Sequence, residues 1–282
     1  MEVTQQVIEV GAVRVPVRFY QPAPIPDLNA VQTRPLAIIL PGGGYAFYSQ
    51  RESEIIALNY LAQGFAAAVV DYRLSDQPPV LPTALYQVGA VVSYYHQHAA
   101  EKHLAADKIV LAGFSAGGHL AALYADLWNS PAMVEQLGVA ATTLRLGALA
   151  LAYPVIGLRL GWPVSQADLA NVAAIAGEYP YHEADQLVTT CNPATFIWAT
   201  ATDELVPVTN TLAYTQALVQ AGISVQCKVY AHGPHGLSLA RADTAEASLG
   251  PNYVHPEVAS WFGEEMDWLN RLWELDDFWL KQ

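Results

Sequence analysis

Cysteine is scarce in this 282-residue chain: only Cys191 and Cys227 occur. Two thiols without metal-ligand spacing argue against a disulfide framework and against a zinc site, so both read as free thiols. Basic residues are few as well, 13 Lys and Arg against 26 Asp and Glu, which leaves a formal charge of −13. A field of that sign repels phosphate backbones and anionic lipid, excluding nucleic acid and membrane surfaces as expected partners. Long hydrophobic runs are missing too. The longest apolar passage, Leu146 to Leu158, contains Pro154, meets Arg159 and falls short of the roughly 20 residues that a spanning helix needs. The N-terminus carries Glu2 and polar residues where an export signal would have a basic start and an apolar core. The expectation is a soluble, cytoplasmic protein.

What the chain does have is apolar mass, 53% hydrophobic residues against 14% charged. That suffices for one large core, and a single domain over residues 1–282 is expected. Two alternating segments around Gly11, VTQQVIEV and AVRVPVRFY, predict an antiparallel hairpin. Residues 21–35, rich in Pro and Ala, read as a loop. Short continuous apolar runs then recur at 36–40, 65–70, 108–114, 146–153, 195–200 and 225–230, most of them separated by helix-length segments. Continuous rather than alternating strands between helices predict an α/β fold with a mostly parallel sheet covered on both faces. The long interval at about 153–192 predicts a small cap over one end of the sheet. Near its end the chain carries Trp261, Trp268, Leu272, Leu275 and Trp279 at near-helical spacing, a stripe expected to pack on the sheet or on a second subunit of a homo-oligomer.

The stretch KIVLAGFSAGGHLAALYA, residues 108–125, places Gly113, Ser115 and Gly117 where a predicted strand turns into a predicted helix. A serine at such a corner is exposed, and flanking glycines are needed because a Cβ there would strike the neighbouring strand and helix. The corner also puts Ser115 at a helix start, where the N–H of Ala116 is unpaired and can face a developing negative oxygen. A serine hydroxyl is a weak nucleophile at neutral pH, so it needs a base and an acid that orients the base. Later strand ends supply both in the order Ser, Asp, His: Asp203 after the run at 195–200 and His235 after the run at 225–230. Their rivals are Glu204, beside Asp203 but not heading the DxxVP pattern, and His232, which reads as a loop residue. His119, one turn along from Ser115, reads as a packing residue.

A second source of oxyanion donors is expected at the end of an early strand, and AIILPGGGYAF supplies it. Gly43 and Gly44, with Ala116, form the expected oxyanion hole. Neither a dinucleotide nor a Walker pattern follows these glycines, and the loop has no lysine to hold phosphate. Tyr45, Phe47, Tyr48 and Phe114 lie near these motifs. They either crowd the acyl side, with Tyr45 and Phe114 as substrate contacts, or pack the core.

Five motifs, PGGGY (41–45), VVDYRLS (69–75), KIVLAGFSAGGHLAA (108–122), ATDELVPVTN (201–210) and HGPHGLSLA (232–240), fall in order along the chain. In these the chain resembles the α/β-hydrolase esterases, specifically the hormone-sensitive-lipase-like branch with its bacterial acetyl-esterase and carbohydrate-esterase relatives. The resemblance implies an eight-stranded sheet and a serine hydrolase site at Ser115, Asp203 and His235. Two features depart from it: Pro41 stands where many members have His, and the chain before Leu36 is short and hairpin-like rather than a long helical segment. The function expected is hydrolysis of short-chain acyl esters, acetylated carbohydrates among them, with a small-molecule substrate and no metal or organic cofactor. The alternatives are an arylformamidase-like amide hydrolase and a catalytically silent binding protein on the same scaffold.

Overall fold

The structure, a computed structural model, describes residues 1–23, 33–162, 175–248 and 250–281. Strands β1 (Glu2–Val10) and β2 (Val13–Gln21) form the expected hairpin, with Val10 opposite Val13 across Gly11. Gly11 has φ 58°, the left-handed backbone that so short a connection requires. Then come β3 (Arg34–Leu40), α1 (Glu54–Ala62), β4 (Ala66–Val70), α2 (Thr83–Gln97) and β5 (Leu104–Phe114). After these follow α3 (Ala116–Leu127), α4 (Pro131–Leu137), β6 (Ala148–Ala152), β7 (Thr195–Thr200), α5 (Thr209–Gln220) and β8 (Val225–Tyr230). Helices α6 (Trp261–Trp273) and α7 (Leu275–Leu280) close the chain.

The eight strands form one sheet in the order β1-β2-β4-β3-β5-β6-β7-β8. It is parallel from β4 to β8, and the hairpin adds two antiparallel pairings at one margin, making the sheet mixed. The two-residue period of a strand divides the apolar side chains between two cores. On β3, Leu36, Ile38 and Leu40 face a core shared with α2 and α3, whereas Ala37 and Ile39 face one shared with α1 and α6. On the second face Ala148, Ala150 and Ala152 of β6 leave room for Phe114, Trp198 and Trp261. Burying each such ring contributes roughly 1.5–3 kcal/mol or more.

The C-terminal stripe is only partly the inward face. Trp261, Trp268 and Leu275 are buried, but Leu272 is exposed, and Phe262, Glu265 and Leu269 fill the inward positions instead. The helical period breaks at Glu274, whose φ of 50° separates α6 from α7. The expected cap falls in part outside the described residues, which omit 163–174. At its two described ends, Gly157 bridges Glu183, and Arg159 is paired with Glu183 and Asp185. No helix among the described residues is long and apolar enough to cross a membrane.

Candidate active site

The site gathers at the C-terminal ends of β3, β5, β7 and β8, where loops leave a parallel sheet. β5 ends at Phe114 and α3 begins at Ala116, so Ser115 alone makes the corner, with φ 53° and ψ −118°. A non-glycine residue held there costs on the order of 1–3 kcal/mol and persists only where its surroundings impose it. The surroundings do so. Ser115 N–H donates to Ala152 O at 3.1 Å, and its carbonyl accepts from the N–H groups of His119 and Val155. A Cβ added to Gly113 would come within 2.6 Å of Gly117 O, and one added to Gly117 within 2.1 Å of Leu40 O. Only glycine lets β3, β5 and α3 approach this closely.

Asp203 follows β7 and is buried. Its Oδ1 accepts from the N–H groups of Leu205 and Val206, both at 2.9 Å, and its Oδ2 accepts from His235 Nδ1 at 2.7 Å. With the proton on Nδ1 fixed by that carboxylate, Nε2 is left as an acceptor, and Ser115 Oγ lies 2.7 Å from it. The histidine loop is tied to the end of β7 by Thr200 Oγ1, which donates to Gly233 O at 2.7 Å, and by Gly233 N–H, which donates to Thr202 Oγ1 at 3.0 Å. The rivals Glu204 and His232 are both exposed.

The glycine loop leaves β3 with Gly43 at φ 122° and Gly44 at φ 62°. Gly43 O accepts from the N–H groups of Ala46 and Phe47, which curls the loop. Among the described residues the N–H groups of Gly43, Gly44 and Ala116 donate to no acceptor, which leaves them available to a ligand oxygen. Gly43, Gly44, Ser115 and His235 line one cleft of about 650 Å³, which Glu246 and Tyr253 also line. At Pro41, which departs from the resemblance, the carbonyl accepts the Tyr72 hydroxyl, and Gly42 N–H donates to Glu52 Oε2 at 2.8 Å.

Two expected substrate contacts are corrected. Tyr45 is fully buried in the α2–α3 core, with its hydroxyl 2.9 Å from His119 Nδ1, and Phe114 is buried on the opposite face against Tyr153 and Trp261. The backbone at each position turns the ring into the protein rather than toward the cleft. Tyr48 is half-buried and donates to Tyr72 O, whereas Phe47, 61% exposed, stands at the rim. His119 packs as expected. Its Nε2 lies 2.8 Å from His182 O, and burial pushes its pKa down to about 4, so it is neutral and joins the glycine loop to the cap.

Three residues that the sequence did not single out complete the site. Arg51 Nη1 donates to Gly236 O at 2.6 Å, and its guanidinium lies over the Tyr253 ring and pairs with Glu246. Glu52 is buried behind the glycine loop, and the hydroxyl of Tyr153 donates to its Oε1 at 2.7 Å. Nothing in the local pattern marks Arg51, Glu52 or Tyr153, because their partners lie up to 187 residues away.

A model of the BD-FAE family matches residues 25–218. Among solved structures, the carboxylesterase Cest-2923 of Lactobacillus plantarum WCFS1 superposes with a TM-score of 0.88 at 33% identity, covering 96% of this chain and 98% of that one. Endo-1,4-beta-xylanase B of Butyrivibrio fibrisolvens is 28% identical over 78% of this chain, and the acetylxylan esterase of Xylanibacter ruminicola is 29% identical over 70%. The chain spans only 35% of the length of the former and 40% of the latter.

Proposed function

The chain belongs to the BD-FAE family and has the α/β-hydrolase fold of carboxylic ester hydrolases, and from that premise we propose that it cleaves short-chain acyl esters through an acyl-enzyme on Ser115. The observation that carries this reading is the unbroken relay of two 2.7 Å contacts from Ser115 Oγ through His235 to Asp203. His235 Nε2 takes the hydroxyl proton as Oγ attacks the carbonyl carbon, and the buried carboxylate of Asp203 stabilises the imidazolium that results. The oxygen that becomes negative is held by the N–H groups of Gly43, Gly44 and Ala116, each such donor being worth about 100- to 1,000-fold in turnover. His235 then gives its proton to the departing alcohol. Water repeats the cycle to release the acid and restore Ser115.

Acetyl esters with a hydroxylated alcohol, acetylated carbohydrates foremost, are the substrate class favoured. The support is the naming of a relative as an acetylxylan esterase, together with a cleft wall in which Gln50, Glu246 and the Tyr253 ring offer hydrogen bonds and an aromatic face. In this reading the enzyme works in the cytoplasm on a small soluble ester. Ser115→Ala, assayed on an aryl acetate and an acetylated xylo-oligosaccharide, is expected to lower kcat/KM by about 10⁴-fold or more and to abolish labelling by a fluorophosphonate. Hydrolysis within tenfold of wild type would remove the assignment.

A further inference from the structure

We propose that Glu52 is a positioning residue that holds the oxyanion loop and the histidine loop in fixed relation, an inference that rests on the reaction proposed above. Glu52 is only 2% exposed. A carboxylate removed from water costs several kcal/mol unless its oxygens are bonded, and here each oxygen has its own donor. Oε2 accepts from Gly42 N–H at 2.8 Å, and Oε1 accepts from the Tyr153 hydroxyl at 2.7 Å. The two donors belong to opposite halves of the site.

On one side, the peptide joining Pro41 to Gly42 is gripped at both ends, its carbonyl by the Tyr72 hydroxyl and its N–H by Glu52. That peptide directly precedes Gly43, so its plane sets the direction in which the oxyanion donors leave β3. A Cβ added to Gly42 would stand 2.7 Å from Glu52 Oε2 and 2.9 Å from Ser115 Cβ. The carboxylate therefore packs behind the loop, level with the nucleophile.

On the other side, Tyr153 is held at φ 38°, with its ring centroid 5.0 Å from that of His235 and the planes 72° apart. Its hydroxyl, besides donating to Glu52, accepts from Ser238 N–H at 3.0 Å. Glu52 thus fixes a ring lying against the imidazole and, through the same hydroxyl, the backbone three residues beyond it. The adjacent Arg51 holds the same segment from outside, by its bond to Gly236 O and by accepting the Ser238 hydroxyl on its own carbonyl. Groups of an active site must keep their places closely, since a misplacement of about 1 Å can cost 100-fold. Glu52 is built to prevent that.

The test compares wild type, Glu52→Ala, Glu52→Gln, Tyr153→Phe and Ser115→Ala on an aryl acetate, with active sites counted by fluorophosphonate and melting followed in parallel. Glu52→Ala leaves Gly42 N–H without its acceptor and releases Tyr153. It is expected to lower kcat per titrated site about 30- to 100-fold with KM within threefold. Glu52→Gln keeps an oxygen for Gly42 N–H but offers the Tyr153 hydroxyl an N–H in place of its acceptor, so it should recover in part, to within about tenfold of wild type. Should Glu52→Ala not fold, Tyr153→Phe supplies the readout, with kcat expected about tenfold down at unchanged KM. A lower melting temperature or fewer titratable sites, with kcat per site within twofold of wild type, would mean a merely structural role and overturn the proposal. A fully active Ser115→Ala enzyme would instead remove the reaction on which the inference stands.

Discussion

Asp203 meets His235 with one carboxylate oxygen and secures its own turn with the other: Oδ2 accepts from Nδ1 at 2.7 Å, and Oδ1 accepts from the N–H groups of Leu205 and Val206. The orientation of the acid is thereby set by backbone as well as by the imidazole.

Asp203→Asn turns this geometry against catalysis. The side-chain oxygen is retained by the two backbone donors, so the amide NH₂ faces Nδ1 and drives the imidazole proton to Nε2, opposite the serine hydroxyl. We expect kcat to fall by about 10³- to 10⁴-fold while the melting temperature shifts by only a few degrees. Steady-state kinetics beside a thermal melt decide the matter; turnover within tenfold of wild type would contradict the arrangement.

Two buried groups should give folding stability a plateau between about pH 4.5 and 6.5, with losses on either side. Burial lowers the pKa of His119 from 6.5 to about 4, so between those values the unfolded chain binds a proton that the folded one refuses. Its contribution is complete above 6.5 and fades as pH falls through 4. Glu265, buried on α6 and accepting the Tyr60 hydroxyl, is pushed up to about 8 by burial, and the sign reverses. Its contribution is complete below 4.5 and fades as pH rises through 8. In urea unfolding, His119→Gln should flatten the acid side of the stability curve. Glu265→Gln should gain on wild type as pH rises from 4.5 to about 8. Parallel curves for variant and wild type would refute either assignment.

At the corner, Gly117→Ala and Gly138→Ala form a controlled pair. A Cβ at 117 would meet backbone atoms, Leu40 O at 2.1 Å and Pro41 O at 2.5 Å, and cannot be accommodated unless β3 or α3 moves. A loss of several kcal/mol is expected, with turnover collapsing alongside it. Gly138 ends α4 at φ 63° with nothing within 4 Å of an added Cβ, so only the backbone penalty of about 1–2 kcal/mol applies. That variant should keep wild-type kcat, and comparable melting and activity losses in the two would overturn the account.

The convergence of Ser115, Asp203 and His235 was legible in the sequence because each lies within a few residues after a run of continuous apolar residues, and strand order then dictates which ends meet. The hairpin was legible from its two-residue alternation. Tyr45 and Phe114 were misplaced because nearness along the chain to a glycine loop or a nucleophile says nothing about which way a ring turns. One entered each core. Arg51, Glu52 and Tyr153 left no local trace. Apart from the bond between Glu52 and Gly42 N–H, ten residues away, they act through hydrogen bonds that span 85 to 187 residues of chain, and only the assembled sheet brings those partners together. Glu265 was hidden for a simpler reason: it takes an inward place in an otherwise apolar stripe, where an acid is not anticipated.

Helix α3 is enclosed on every side from Ala116 to Asp126. Its residues answer to neighbours in two layers at once, so the element that presents Ser115 has almost no freedom to drift. Under the proposed reaction, diversification is therefore channelled to the rim, where Gln50, Ala245 and Ala247 border the cleft and make no hydrogen bond to Ser115, Asp203 or His235 among the described residues. A directed-evolution library confined to those positions would explore new alcohol moieties while the engine beneath stays intact.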